Sequence, residues 1–114
     1  MNVIQFNQLE QKLLHWIDSN TSNPFLSKQI ESVSLKRRDY TRTGFFIYLN
    51  VDSACASVPA NVQPICPLIK SQELFDGAGC NLFLREGQLH YLEIYARGGF
   101  LPENLENFQL QPDV

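Results

Sequence analysis

The sequence predicts an α+β domain: one N-terminal amphipathic helix packed on an antiparallel sheet of about four strands. Three observations carry that prediction. An apolar stripe at helical spacing opens the chain, and an alternating apolar run lies in its middle. Near the end, two more apolar runs flank a short polar break around Gly87. Repeats near 3.6 and 2 residues mark helix and strand, and strands joined by short turns pair antiparallel. With 114 residues, 44% of them hydrophobic, the chain is expected to fold as one domain, 1–114, around a core that needs no staples.

The stripe is Val3, Phe6, Leu9, Leu13, Trp16 and Ile17, with Gln8, Gln11, Lys12 and Asp18 opposite. That spacing predicts a helix over residues 4–18. His15 lies beside the stripe and reads as a surface histidine. Turn formers at Asp18-Ser19-Asn20 and Ser22-Asn23-Pro24 end the helix. Phe25 to Ile30 fits either a helical turn or a strand entry. Residues 32–41, SVSLKRRDYT, alternate only in part and read as a polar edge strand, guarded by Lys36, Arg37 and Arg38.

Gly44 to Val51 is the clearest strand: Phe45, Ile47, Leu49 and Val51 share one face, Phe46, Tyr48 and Asn50 the other. Pro59, Pro64 and Pro67 then forbid a regular ladder, so residues 52–68 form a loop, apolar enough to pack as a flap. Leu68 to Leu74 reads as a further strand and Asp76 to Gly79 as a turn. A helical turn is expected over 102–107, with Phe108 and Leu110 packing back before Pro112.

The paired runs, NLFLREGQLHYLEIYARGG, fix the register of the last hairpin. A two-residue turn at Glu86-Gly87 mixes both faces and forces Glu86 to positive φ, at about 1 kcal/mol. A three-residue loop, Arg85-Glu86-Gly87, asks this only of Gly87 and sets Leu84 opposite Gln88. The expected core face is then Cys80, Leu82, Leu84, His90, Leu92, Ile94 and Ala96. The other face carries Asn81, Phe83, Arg85, Leu89, Tyr91, Glu93 and Tyr95, extended by Phe46 and Tyr48 if their strand joins the sheet. Aromatic rings with polar tips are typical of binding surfaces. Phe83, Leu89, Tyr91, Glu93 and Tyr95 are therefore the candidate binding residues.

Charge and motif content narrow the function classes. Net charge is −3, split as +1 over residues 1–57 and −4 over 58–114. The acidic half suits a basic protein partner and disfavours nucleic acid or an anionic membrane. Lys36, Arg37, Arg38 and Arg42 make only a weak basic cluster, so nucleic-acid binding ranks last. No apolar run reaches membrane-spanning length, and the start MNVIQFNQLEQ lacks signal-peptide character, so a cytoplasmic location is expected. Cys55, Cys66 and Cys80 are an odd set without a CxxC and read as reduced thiols, Cys80 as a buried small hydrophobe. Nothing near Cys55 or Cys66 predicts a lowered thiol pKa. No zinc spacing forms with His15 and His90 alone, so neither metal nor cofactor is expected. His90 has no nucleophile at triad spacing, and Glu93 faces away from it, so no catalytic residue is assigned.

The stretch GAGCNLFLREGQLHYLEIYARGG, about a fifth of the chain, resembles the C-terminal strand pair of short uncharacterised bacterial α+β proteins. Some of these resemble immunity proteins, which neutralise a cognate toxin. The resemblance implies a binding role and transfers no individual site residue. The leading expectation is a non-enzymatic protein-interaction module, immunity-like or self-associating. The alternative is a small-molecule-binding domain or enzyme with a pocket between helix and sheet, using His90 with Cys55 or Cys66.

Overall fold

The computed structural model describes residues 5–113. Two helices, α1 (Gln8–Ser19) and α2 (Pro24–Ser32), precede six strands. These are β1 (Ser34–Tyr40), β2 (Gly44–Asn50), β3 (Leu68–Lys70), β4 (Ala78–Arg85), β5 (Gln88–Ala96) and β6 (Gln109–Gln111). They form one antiparallel sheet in the order β1-β2-β5-β4-β3-β6. The α+β class is as expected, but the sheet has six strands rather than about four.

α1 starts at a capping box: the Asn7 side chain accepts from the Glu10 N–H while Glu10 accepts from the Asn7 N–H. The helix begins later than the expected residue 4, because residues 5–7 are not helical and Asn7 is the extended cap, while Val3 of the stripe lies outside the described residues. Residues 24–32 resolve as helix because Asn23 caps the N–H groups of Phe25 and Leu26 and Pro24 occupies the first turn. Residues 102–107 form no helical turn. β3 ends at Lys70, where Ser71 accepts from the Glu73 N–H and turns the chain. β6 exists because Leu110 pairs with Ile69, which its short run and flanking glutamines concealed.

Both helices lie on one face of the sheet. Leu9, Leu13, Ile17, Leu26 and Ile30 meet Phe45, Ile47, Leu92 and Ile94 in a single core, closed at one end by Leu101 and Leu105. Burying each large aliphatic side chain contributes about 1.5–3 kcal/mol, so stability is concentrated on this side. The molecule is 41 × 40 × 19 Å, the thickness of one helix layer and one sheet.

Two bulges decide which side chains enter that core. In β1 the register slips between Leu35 and Arg37, leaving Lys36 unmatched. Leu35, Arg38 and Tyr40 then share the core side with their partners Leu49, Ile47 and Phe45, while Arg37 and Asp39 turn to the opposite face. Arg38 thereby reaches Glu10, buried at 1% exposure, in a two-armed pair with Nε–Oε2 of 2.6 Å and Nη2–Oε1 of 2.5 Å. One carboxylate thus caps α1 and fastens it to the edge strand.

The second bulge overturns the expected hairpin. Glu86 and Gly87 form a two-residue turn with φ of 54° and 79°, Arg85 faces Gln88 and Leu84 faces Leu89. His90 is then skipped, so that Phe83 faces Tyr91. Only glycine was expected at positive φ; Glu86 shares it. The compensation is tertiary. The buried Gln29 side chain donates to Gly87 O at 2.9 Å and Ala56 O at 2.9 Å, and accepts from the Leu89 N–H at 3.0 Å. The Val58 N–H adds a 2.8 Å bond to Gly87 O.

Replacing Gln29 by Leu leaves the Leu89 N–H buried without a partner and should cost about 1–3 kcal/mol in urea unfolding. Glu86→Asn places a residue tolerant of positive φ before Gly87 and should raise stability by about 1 kcal/mol in the same assay.

Candidate functional site

The face of the sheet away from the helices carries its side chains in rows across the strands. The first row is Arg37, Tyr48, Tyr91 and Phe83, each the register partner of the next, from β1 through β2 and β5 to β4. The Arg37 guanidinium lies 4.3 Å from the Tyr48 ring centre. Tyr48 and Tyr91 are 5.8 Å apart, and Phe83 stacks on Tyr91 at 4.6 Å with planes 25° apart. Phe46 meets the edge of Tyr91 at 6.0 Å. Tyr91 is therefore the hub of the face.

The second row is Asp39, Phe46, Glu93 and Asn81. Asp39 is held by Arg37 at 3.3 Å. Glu93 sets a half-buried carboxylate at the centre of the face, between Phe46 and Asn81. In the third row Tyr95 is flanked by Gly44 and Gly79. Its ring lies over Gly79, where any β-carbon would collide with it. Phe83 and Tyr95 remain 38% and 40% exposed.

Four of the five candidate binding residues, Phe83, Tyr91, Glu93 and Tyr95, share this face. Leu89 does not: it is 4% exposed, paired with Leu84 and packed into the core. The skipped residue, His90, moves the other way. Expected on the core face, it sets its ring beside Tyr48 at 6.2 Å and Tyr91 at 5.1 Å. Sequence reasoning missed Arg37, which only the β1 bulge brings to this face. Phe46 and Tyr48 join it because β2 pairs directly with β5.

The C-terminal segment packs on the helix side: Leu101 and Leu105 are buried, and Phe108 lies under the Lys12 ammonium at 5.5 Å. The proline-rich segment between β2 and β3 borders β4 and reaches the aromatic face at its rim, beside Phe83 and Tyr95. A cleft of about 220 Å³ does lie between α1 and the sheet, lined by Leu9, Glu10, Phe45, Ile94 and Leu105. It contains neither His90 nor Cys55 nor Cys66, the groups invoked for catalysis there. Among the described residues no cluster of three potential metal ligands occurs, and no helix is long and apolar enough to cross a membrane.

One expectation about the thiols is overturned. A hydrogen bond from Cys80 holds the Cys66 thiol below its ordinary pKa, against the opposing effect of burial and with help from the Leu82 backbone. Cys66 in turn, with burial, pushes the Cys80 thiol far up. The signal was invisible because Cys66 and Cys80 are separated by a loop, a strand and a turn.

If Tyr95 is seated by the bare backbone at Gly79, the two positions must be coupled. In a double-mutant cycle, Gly79→Ala should destabilise the protein when Tyr95 is present and not when it is alanine, a coupling of about 0.5–3 kcal/mol read by urea unfolding. No family model, curated protein or solved structure matches the chain.

Proposed function

We propose that the protein is a non-enzymatic protein-binding module of the cytoplasm and that the open sheet face is its binding surface. The observation that supports this most directly is the row Arg37–Tyr48–Tyr91–Phe83 with Glu93 beside it. Aromatic rings lose little conformational freedom on binding, and aromatic residues and arginine are the types that dominate interface energetics. A carboxylate among rings suits a basic side chain of the partner, which would gain an ion pair and ring-face contact together. The net −4 of residues 58–114 would speed the approach of such a partner. The resemblance of residues 77–99 to immunity-protein-like strand pairs makes a toxin domain with a basic surface the first partner to test.

Tyr91→Ser with Tyr95→Ser should abolish partner capture, weakening affinity by about a hundredfold or more, while the thermal midpoint stays within a few degrees of wild type. Glu93→Gln should lower the association rate and flatten its salt dependence. Capture from a lysate of the producing cells, read by mass spectrometry, and sedimentation of the purified protein cover foreign and self partners. A folded double variant that retains the wild-type partner at wild-type affinity places the interface elsewhere.

A further inference from the structure

We propose that Cys66 is a site of reversible modification by low-molecular-weight disulfides, with Cys80 as the thiol that resolves the adduct into a Cys66–Cys80 disulfide. The proposal does not depend on the identity of the protein partner.

The two cysteines meet because the end of the proline-rich segment lies beside β4. Ile69 pairs with Ala78, which sets the residues just before β3 near Cys80. The Cys80 thiol has two acceptors in reach, Pro67 O at 3.7 Å and the Cys66 sulfur. Both cysteines line a surface groove of about 340 Å³, whose walls include Pro64, Asn81, Phe83 and Tyr95. Cys66 is half-buried and Cys80 only 5% exposed, so Cys66 presents the more accessible sulfur. A small disulfide therefore meets Cys66 first.

The electrostatics run the same way. The nearby Cys80 side chain and the Leu82 backbone both favour the Cys66 thiolate, against the opposing effect of burial. Cys80 keeps its proton. A half-buried thiol whose anion is favoured, with a buried thiol next to it, is the arrangement of an attacking and a resolving cysteine.

The chemistry balances. The Cys66 thiolate attacks one sulfur of RSSR, the S–S bond breaks, and RS⁻ leaves to be protonated. Once Cys66 is a mixed disulfide it no longer accepts the Cys80 proton as an anion, and Cys80 loses it to solvent. The Cys80 thiolate attacks the Cys66 sulfur and releases the second RS⁻, which takes up a proton. Two protein thiols are oxidised to one disulfide, and RSSR is reduced to two RSH. The product ties residue 66 to β4, and the mixed disulfide would stand at the rim of the aromatic face beside Phe83 and Tyr95.

The test uses the full chain carrying Cys55→Ser, incubated natively with glutathione disulfide and followed by intact mass and peptide mapping. The expected result is loss of two hydrogens, a linked peptide pair containing Cys66 and Cys80, and no lasting adduct. With Cys80→Ala added, one glutathione should remain on Cys66. With Cys66→Ser instead, Cys80 should stay unmodified until denaturant is added. The proposal is overturned if neither thiol of the parent reacts in the folded state, if Cys80 is modified equally fast without Cys66, or if the Cys66 adduct persists with Cys80 present. Circular dichroism checks that Cys80→Ala folds. If it does not, the peptide map of the Cys55→Ser protein decides alone.

Discussion

The side-chain amide of Gln29 joins three parts of the chain that are distant in sequence. It holds α2, the proline-rich segment at Ala56 and the exit of the β4–β5 turn through Gly87 O and the Leu89 N–H. A buried primary amide has two donors and one strong acceptor to satisfy, and all three find partners here. Because strand side chains alternate, the residue fixed after the turn sets the side of every residue beyond it until a bulge intervenes. Fixing Leu89 sends it inward, and skipping His90 then returns Tyr91, Glu93 and Tyr95 outward. The aromatic face thus depends on the register that this amide holds and on the bulge at His90.

A second tie works at the opposite edge. Glu10 is almost fully buried, and a carboxylate there is tolerable only because its oxygens receive a backbone N–H and two guanidinium donors. The bulge at Lys36 that brings Arg38 to this pair also delivers Arg37 to the far side, over Tyr48. In both bulges one inserted residue serves the core on one surface and the aromatic row on the other.

The elements legible in the sequence were those whose own periodicity is strong. α1, β2 and the outer half of β5 follow from side-chain spacing, and Leu92, Ile94, Tyr91, Glu93 and Tyr95 fall on the sides that alternation assigns. What alternation alone cannot reveal is an inserted residue. The incomplete pattern of SLKRRDY was the trace of a bulge, not of a weak strand. At the hairpin, local energetics disfavoured Glu86 at positive φ. Long-range hydrogen bonds from Gln29 and Val58 outweighed that cost, and no local reading of residues 81–99 contains them. Leu89 was misplaced for this reason. The proximity of Cys66 to Cys80 was hidden similarly, since only the sheet order brings the segment before β3 against β4.

The margins of the sheet restrict how the molecule can associate. On one side β1 carries an unmatched Lys36 that breaks the run of free amides and carbonyls. On the other β6 is three residues long and is followed by Pro112, which has no amide hydrogen to offer. Lateral extension by adding another strand is therefore discouraged at both borders. Any association is thereby directed away from the sheet borders and towards its faces, which favours a closed complex over a fibre.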